Sequence, residues 1–226
     1  MTPGEQIAGT VFFLIYLLVL PFATGPLFRL IGTLLGVTIS QTVQNIVYYY
    51  ILFAAAIIIF HKFLARTSRN LVDNLGESCK SIFVGLVALY GLNELVYRLT
   101  HVLVDNHTNL NNSTISAQID DAPHVTLLIV IFLAPFVEEV LFRGLVFGNL
   151  KSKSRTVAYA VSCLLFALLH VWQFAVVQQD LTYFLLMVQY LVPGLVLAWA
   201  YDHTGTLWTS IGLHALANAL SAWTML

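Results

Sequence analysis

Seven stretches of this chain run for about 20 residues with few or no charges, close to the length an α-helix needs to cross a bilayer core of ~30 Å. They are Ile7–Ala23, Val43–Phe60, Ser81–Val104, His124–Phe147, Thr156–Phe174, Leu181–Tyr201 and Leu207–Leu226. Hydrocarbon offers a backbone no hydrogen-bond partner, so such runs close their own bonds as helices. The expected fold is all-α, a polytopic membrane bundle of seven to eight spans. An eighth element is left open by Leu30–Ser40, which is apolar but short and glycine-containing: interfacial, re-entrant, or an extension of its neighbour. One membrane domain over residues 1–226 is the economical organisation, with N-terminal spans over about 7–104 and a motif-bearing core over about 124–226.

Composition excludes the alternatives. Hydrophobic residues make up 59% of the chain and charged ones 9%, with a mean hydropathy of +0.84; in soluble domains the charged share is about a quarter. A net charge of −1 leaves no basic stripe to neutralise phosphates, so no nucleic-acid partner is expected. Membrane lipid, and a hydrophobic peptide or membrane protein, are the expected partners. Cys79 and Cys163 have no CxxC spacing and read as packing thiols. Met1–Thr10 lacks the Lys/Arg region of a secretory signal, so Ile7–Ala23 is expected to be a retained first span. The triplet Asn106-His107-Thr108 matches a glycosylation acceptor by pattern alone.

Seven of the ten Lys and Arg residues sit in two short segments, Lys62 to Lys80 and Lys151 to Arg155. By the positive-inside rule both face the cytoplasm. The segment from Asp105 to Pro123 carries Asp105, Asp120 and Asp121 without Lys or Arg, as expected of the opposite face. The amino terminus would then lie inside and the carboxyl terminus outside, in a multi-pass protein of the cell membrane. Arg66–Lys80 reads equally as an interfacial amphipathic helix or a solvated loop.

Within the fourth run stand Glu138, Glu139 and Arg143. An ionisable side chain at the bilayer centre costs about 2.5–3.5 kcal/mol on insertion scales, so three within six residues demand partners or a polar cavity. Glu139 and Arg143, four apart, share a helix face, while Glu138 is turned about 100° away. One carboxylate is thereby left for chemistry. Pro135, without an N–H for the carbonyl of Ile131, is expected to open the helix just before the acids. His170 follows Phe166 by one turn on the fifth run, and His214 and Asn218 are four apart on the seventh. A rise of 1.5 Å per residue puts Glu138 ~18 Å and His170 ~21 Å from the helix ends at the basic loop. The same rise puts His214 ~12 Å and Asn218 ~18 Å from Thr206. Three helices converging at one depth fit an active site better than interhelical glue. Glu94 and Arg98 read as a mutually neutralising pair; His61, His101, His107, His124 and His203 read as solvated boundary residues.

Glu138-Glu139-x3-Arg143, Phe166-x3-His170 and His214-x3-Asn218, in this order over roughly the last hundred residues, resemble the CPBP family, the CAAX protease and bacteriocin-processing (Abi) group. The group includes relatives of the Ras-converting CAAX endopeptidase. The resemblance implies a bacterial-type intramembrane endopeptidase whose site opens toward the cytoplasmic half or laterally. It implies that Glu138 and His170 activate water, that His214 and Asn218 stabilise the oxyanion, and that Glu139 orients the site with Arg143. No Ser or Cys stands in the motifs as a nucleophile, which favours attack by water. Zinc or another divalent metal on Glu138, His170 and His214 is one reading; a metal-free glutamate mechanism is the other, since neither HExxH nor HxxEH occurs. Substrates would be a bacteriocin or signalling-peptide precursor, or the protein would confer self-immunity. The competing functions are a non-proteolytic immunity or scaffold protein and, behind it, a proton-relaying transporter.

Overall fold

Helix caps lie outside the apolar windows, so the helices are longer than hydropathy alone draws them. In the computed structural model, which describes residues 1–103 and 110–224, α1 spans Pro3–Leu35. It starts where Thr2 and Glu5 form a reciprocal capping box and ends at Gly36, whose φ of 67° favours a residue without Cβ. Leu30–Leu35 is therefore the extension of its neighbour, the third of the readings left open. α2 (Gln41–Asp73) and α3 (Leu75–Leu103) meet at Asn74, so Arg66–Lys80 is neither a surface helix nor a loop but two helix ends. A short α4 (Leu110–Asp121), polar and without hydropathic signal, occupies much of what reads as a loop. α5 (Pro123–Lys151), α6 (Arg155–Gln178), α7 (Leu181–Thr204) and α8 (Leu207–Trp223) complete the chain. Asp105, His107, the triplet Asn106-His107-Thr108 and the side chain of His101 lie outside the described residues.

Six of these helices, α1, α2, α3, α5, α6 and α7, are long and apolar enough to cross a membrane among the described residues. They belong to a multi-pass membrane protein. α8 has 17 residues, about 26 Å at 1.5 Å per residue, one turn short of the usual span. The most apolar window of α5 is 67% buried, against 17–33% in the other five, which makes α5 the central helix. Around it, one core joins Phe13, Leu52, Phe60, Leu89, Phe142 and Leu213. Exposed Leu34, Ile58, Phe83 and Val177 face outward, as lipid contact requires.

The two ends of the bundle differ in charge. At one end Asp202 holds Lys151 at 2.5 Å and Arg155 at 2.6 Å, and Asn70 donates to the carbonyl of Gly205. Asp202 is thus an enclosed clamp, while His203 beside it is exposed and stacks on Trp199. Here too a kink at Phe60 (φ −104°, ψ 19°) presents the N–H of Phe63 to the buried carboxylate of Glu5, 2.7 Å away. At the other end Thr42 donates to Asp121.

Candidate active site

α5 carries the acids on a helix that widens twice. Ile129–Leu133 and Val140–Phe147 are π-helical, with the α-helical turn Ala134–Glu139 between them; π segments inside α-helices are frequent at functional sites. Pro135 accounts for part of this. The N–H of Ala134 reaches back to Ile129, and in the same register the next donor would serve Val130, but Pro135 has none. The orphan carbonyl therefore falls on Val130 and not on Ile131. It is satisfied by the side-chain amide of Asn218, at 2.9 Å.

Glu139 and Arg143 are both fully buried and pair at 3.0 Å, as the i, i+4 spacing predicts. The guanidinium also donates through Nη2 to the carbonyl of Gly194 at 3.0 Å and lies 4.3 Å from the centre of the Phe166 ring, while its buried Nε has no hydrogen-bond partner. A Cβ on Gly194 would come within 3.3 Å of Cys163, so this close approach of α7 to α6 delivers the acceptor. Glu139 accepts again from His214 Nδ1 at 2.9 Å. Its second oxygen contacts the hydroxyl of Ser210, which also lies 3.0 Å from the carbonyl of Leu197. Glu139 thus ties α5 to α8 and, through Arg143, to α7.

Glu138 is 8% exposed, and its Oε2 is buried without a hydrogen-bond partner. Facing that oxygen are His170 Nε2 at 3.9 Å and His214 Nε2 at 4.0 Å. The opposite nitrogens are engaged, His170 Nδ1 with the carbonyl of Phe166 at 2.8 Å and His214 Nδ1 with Glu139. Acceptors at both Nδ1 fix the protons there and turn both Nε2 lone pairs toward Glu138. Three acceptors then converge without a donor. Donors on a tetrahedral zinc, with bonds of about 2.0–2.1 Å, stand about 3.3 Å apart, so Glu138, His170 and His214 are spaced too widely for the metal reading. Among the described residues no group of three or more His, Cys, Asp or Glu side chains is arranged to hold a metal ion. A water at about 2.8 Å from each atom fits the observed spacing.

The carboxylate of Glu138 closes the inner end of a cavity of about 750 Å³, which His170, His214 and Asn218 also line. Five of the six residues marked by sequence therefore meet directly, and Asn218 sits one turn along α8, bonded to α5 rather than to the acids. Ser210, Gly194 and Tyr190, whose ring stacks on His170 at 4.5 Å, are additional. Ser210 was within reach of pattern reading, because Ser210, His214 and Asn218 form one i, i+4, i+8 stripe. Gly194 and Tyr190 carry no such signal. Elsewhere Glu94 pairs with Arg98 at 2.7 Å in the exposed part of α3, and Ser162 donates to the carbonyl of Phe142, apart from the site.

Residues 121–220 match the family model described as type II CAAX prenyl endopeptidase Rce1-like, which is the CPBP family. At the level of the family this supports an intramembrane endopeptidase. No curated protein and no solved structure matches the chain.

Proposed function

We propose, taking the CPBP match of residues 121–220 as the premise, that this protein hydrolyses a peptide bond in a membrane-associated or hydrophobic peptide or protein. The observation that carries the reading is the partnerless Oε2 of Glu138, buried at the end of a cavity and faced by two imidazoles. A buried carboxylate without a donor is costly unless something in the reaction supplies one. Water does so.

In this reading Glu138 accepts a proton from a water held between it and His170, and the water oxygen attacks the scissile carbonyl. His214, its Nδ1 proton held by Glu139, offers Nε2 to the oxyanion once that nitrogen is protonated; Asn218 has a second amide proton for the same oxygen. Two carboxylates and one guanidinium leave one buried negative charge, carried by Glu138 as the base. The proton taken from water is held between Glu138 and the imidazoles and is then given to the leaving amine. Arg143 touches no reacting atom and acts by positioning Glu139.

The test is cleavage of internally quenched hydrophobic peptides by the reconstituted protein. Glu138→Gln and His170→Ala are expected to abolish turnover, and Arg98→Ala to preserve it. Full function of the first two variants, with normal expression, would replace this reading by the immunity or scaffold one.

A further inference from the structure

All eight helices of the described residues line the cavity, most of them from the outward side of Glu138. α1 contributes Thr24 and Phe28 from its later half, α2 Gln44 and Tyr48 from its first turns, and α3 Asn93 from its later half. On the catalytic helices the lining residues outward of the acids and imidazoles are Val130, Gln173, Gln189 and Ser221. α4 adds Ile115 and Gln118. Tyr16 and Leu197 mark how far the cavity reaches, and no described lining residue comes from deeper in the other half of the bundle, toward Lys151 and Asp202. There Val140, Leu141, Phe142, Phe147, Phe60 and Leu207 are fully buried and close the floor.

The closed half is the end that carries Lys151, Arg155 and Asp202, next to the turn at Gly205 to which Asn70 of α2 bonds. The open half is the end of Thr42 and Asp121. Seven of the ten basic residues belong to the closed end, which the positive-inside rule assigns to the cytoplasm. The resemblance to the family implies an opening toward the cytoplasmic half or laterally; the lining and the charges together give the opposite direction.

The chemistry of the wall limits what enters. Nine of the lining residues are Asn or Gln, and Glu138 is the sole Asp, Glu, Lys or Arg among the described ones. Away from Glu138, a charged side chain entering such a cavity finds no counter-ion for its desolvation cost. An extended peptide at membrane depth must find partners for its N–H and C=O groups, and carboxamides offer both donor and acceptor. Among the described lining residues no Lys or Arg is present to hold a terminal carboxylate.

Resting on the endopeptidase reading, we propose that the catalytic cavity opens at the non-cytoplasmic face and takes an uncharged, extended internal segment of a peptide presented from that side.

Two measurements test this separately. In cells expressing the full chain with Cys79→Ser, a membrane-impermeant maleimide is expected to label Gln44→Cys from outside and Lys153→Cys only after permeabilisation. The reverse pattern overturns the proposed opening whatever the protein catalyses. In right-side-out vesicles, a neutral quenched peptide added outside is expected to be cleaved at least tenfold faster than versions carrying Lys or Asp beside the scissile bond. Gln173→Glu, one turn outward of His170, is expected to raise the Lys version at least tenfold relative to the neutral one. Equal cleavage of all versions, or preference for a prenylated peptide with a free terminal carboxylate, overturns the substrate class. Outside labelling of Gln44→Cys with no cleavage by any preparation upholds the opening and overturns the endopeptidase reading beneath it.

Discussion

The side-chain amide of Asn218 donates to the carbonyl of Val130 at 2.9 Å, on a helix whose next donor is missing because residue 135 is proline. Leaving a buried carbonyl unsatisfied costs about 1–3 kcal/mol. Asn218→Ala is therefore expected to lower stability by about that amount, read as the thermal unfolding midpoint in detergent. Pro135→Ala restores an N–H near Val130, so the double variant is expected to lose less than the sum of the single losses. Strict additivity would mean that Asn218 serves the reaction without repairing the helix.

Glu138→Gln removes a charge that lacks a hydrogen-bond donor and keeps the shape of the side chain. We expect the folded protein to be at least as stable as the wild type, while turnover falls by about 10²–10⁴, the usual contribution of a general base. Loss of both activity and stability would show Glu138 to be structural.

Arg143 and Glu139 behave oppositely, since each is enclosed and neutralised by the other. Removing one partner of a buried pair costs about 3–5 kcal/mol, so Arg143→Ala is expected to reduce folded yield sharply. Arg143→Lys cannot reach Glu139 and the carbonyl of Gly194 with one planar fork; an intermediate loss is expected. Folded yields measured by size-exclusion chromatography in detergent check both.

Donor spacings of 3.9 and 4.0 Å around Glu138 suit water. Protein purified without chelators is expected to contain less than about one tenth of an equivalent of zinc, given the ~3.3 Å donor spacing a tetrahedral site requires. 1,10-Phenanthroline is expected to leave cleavage unchanged. Stoichiometric metal together with chelator inhibition would contradict this.

Much of this arrangement is written in local periodicity. The i, i+4 pairing of Glu139 with Arg143 and the common depth of Glu138, His170 and His214 follow from helix rise and repeat alone, because a membrane helix has no other way to place its side chains. What periodicity could not reach is set by contacts between helices. The π turns, which move the orphan carbonyl from Ile131 to Val130, depend on backbone register. Gly194 enters through the close approach of α7 to α6. α4 has no apolar run to announce it, and the clamp of Lys151 and Arg155 on Asp202 joins helix ends that no sequence spacing relates.

The hydrogen bond from Gln6 to Asn149, 2.9 Å long, joins residues 143 positions apart, close to where Glu5 holds the N–H of Phe63. Synthesis at ~5–20 residues per second separates the emergence of these two residues by roughly 7–30 s. For that interval α1 waits in the bilayer with a polar residue whose partner has not yet been made. Assembly of this protein is therefore a matter of timing, and slowing elongation between Asn74 and Asn149 would lengthen the exposure of its first helix to quality-control proteases.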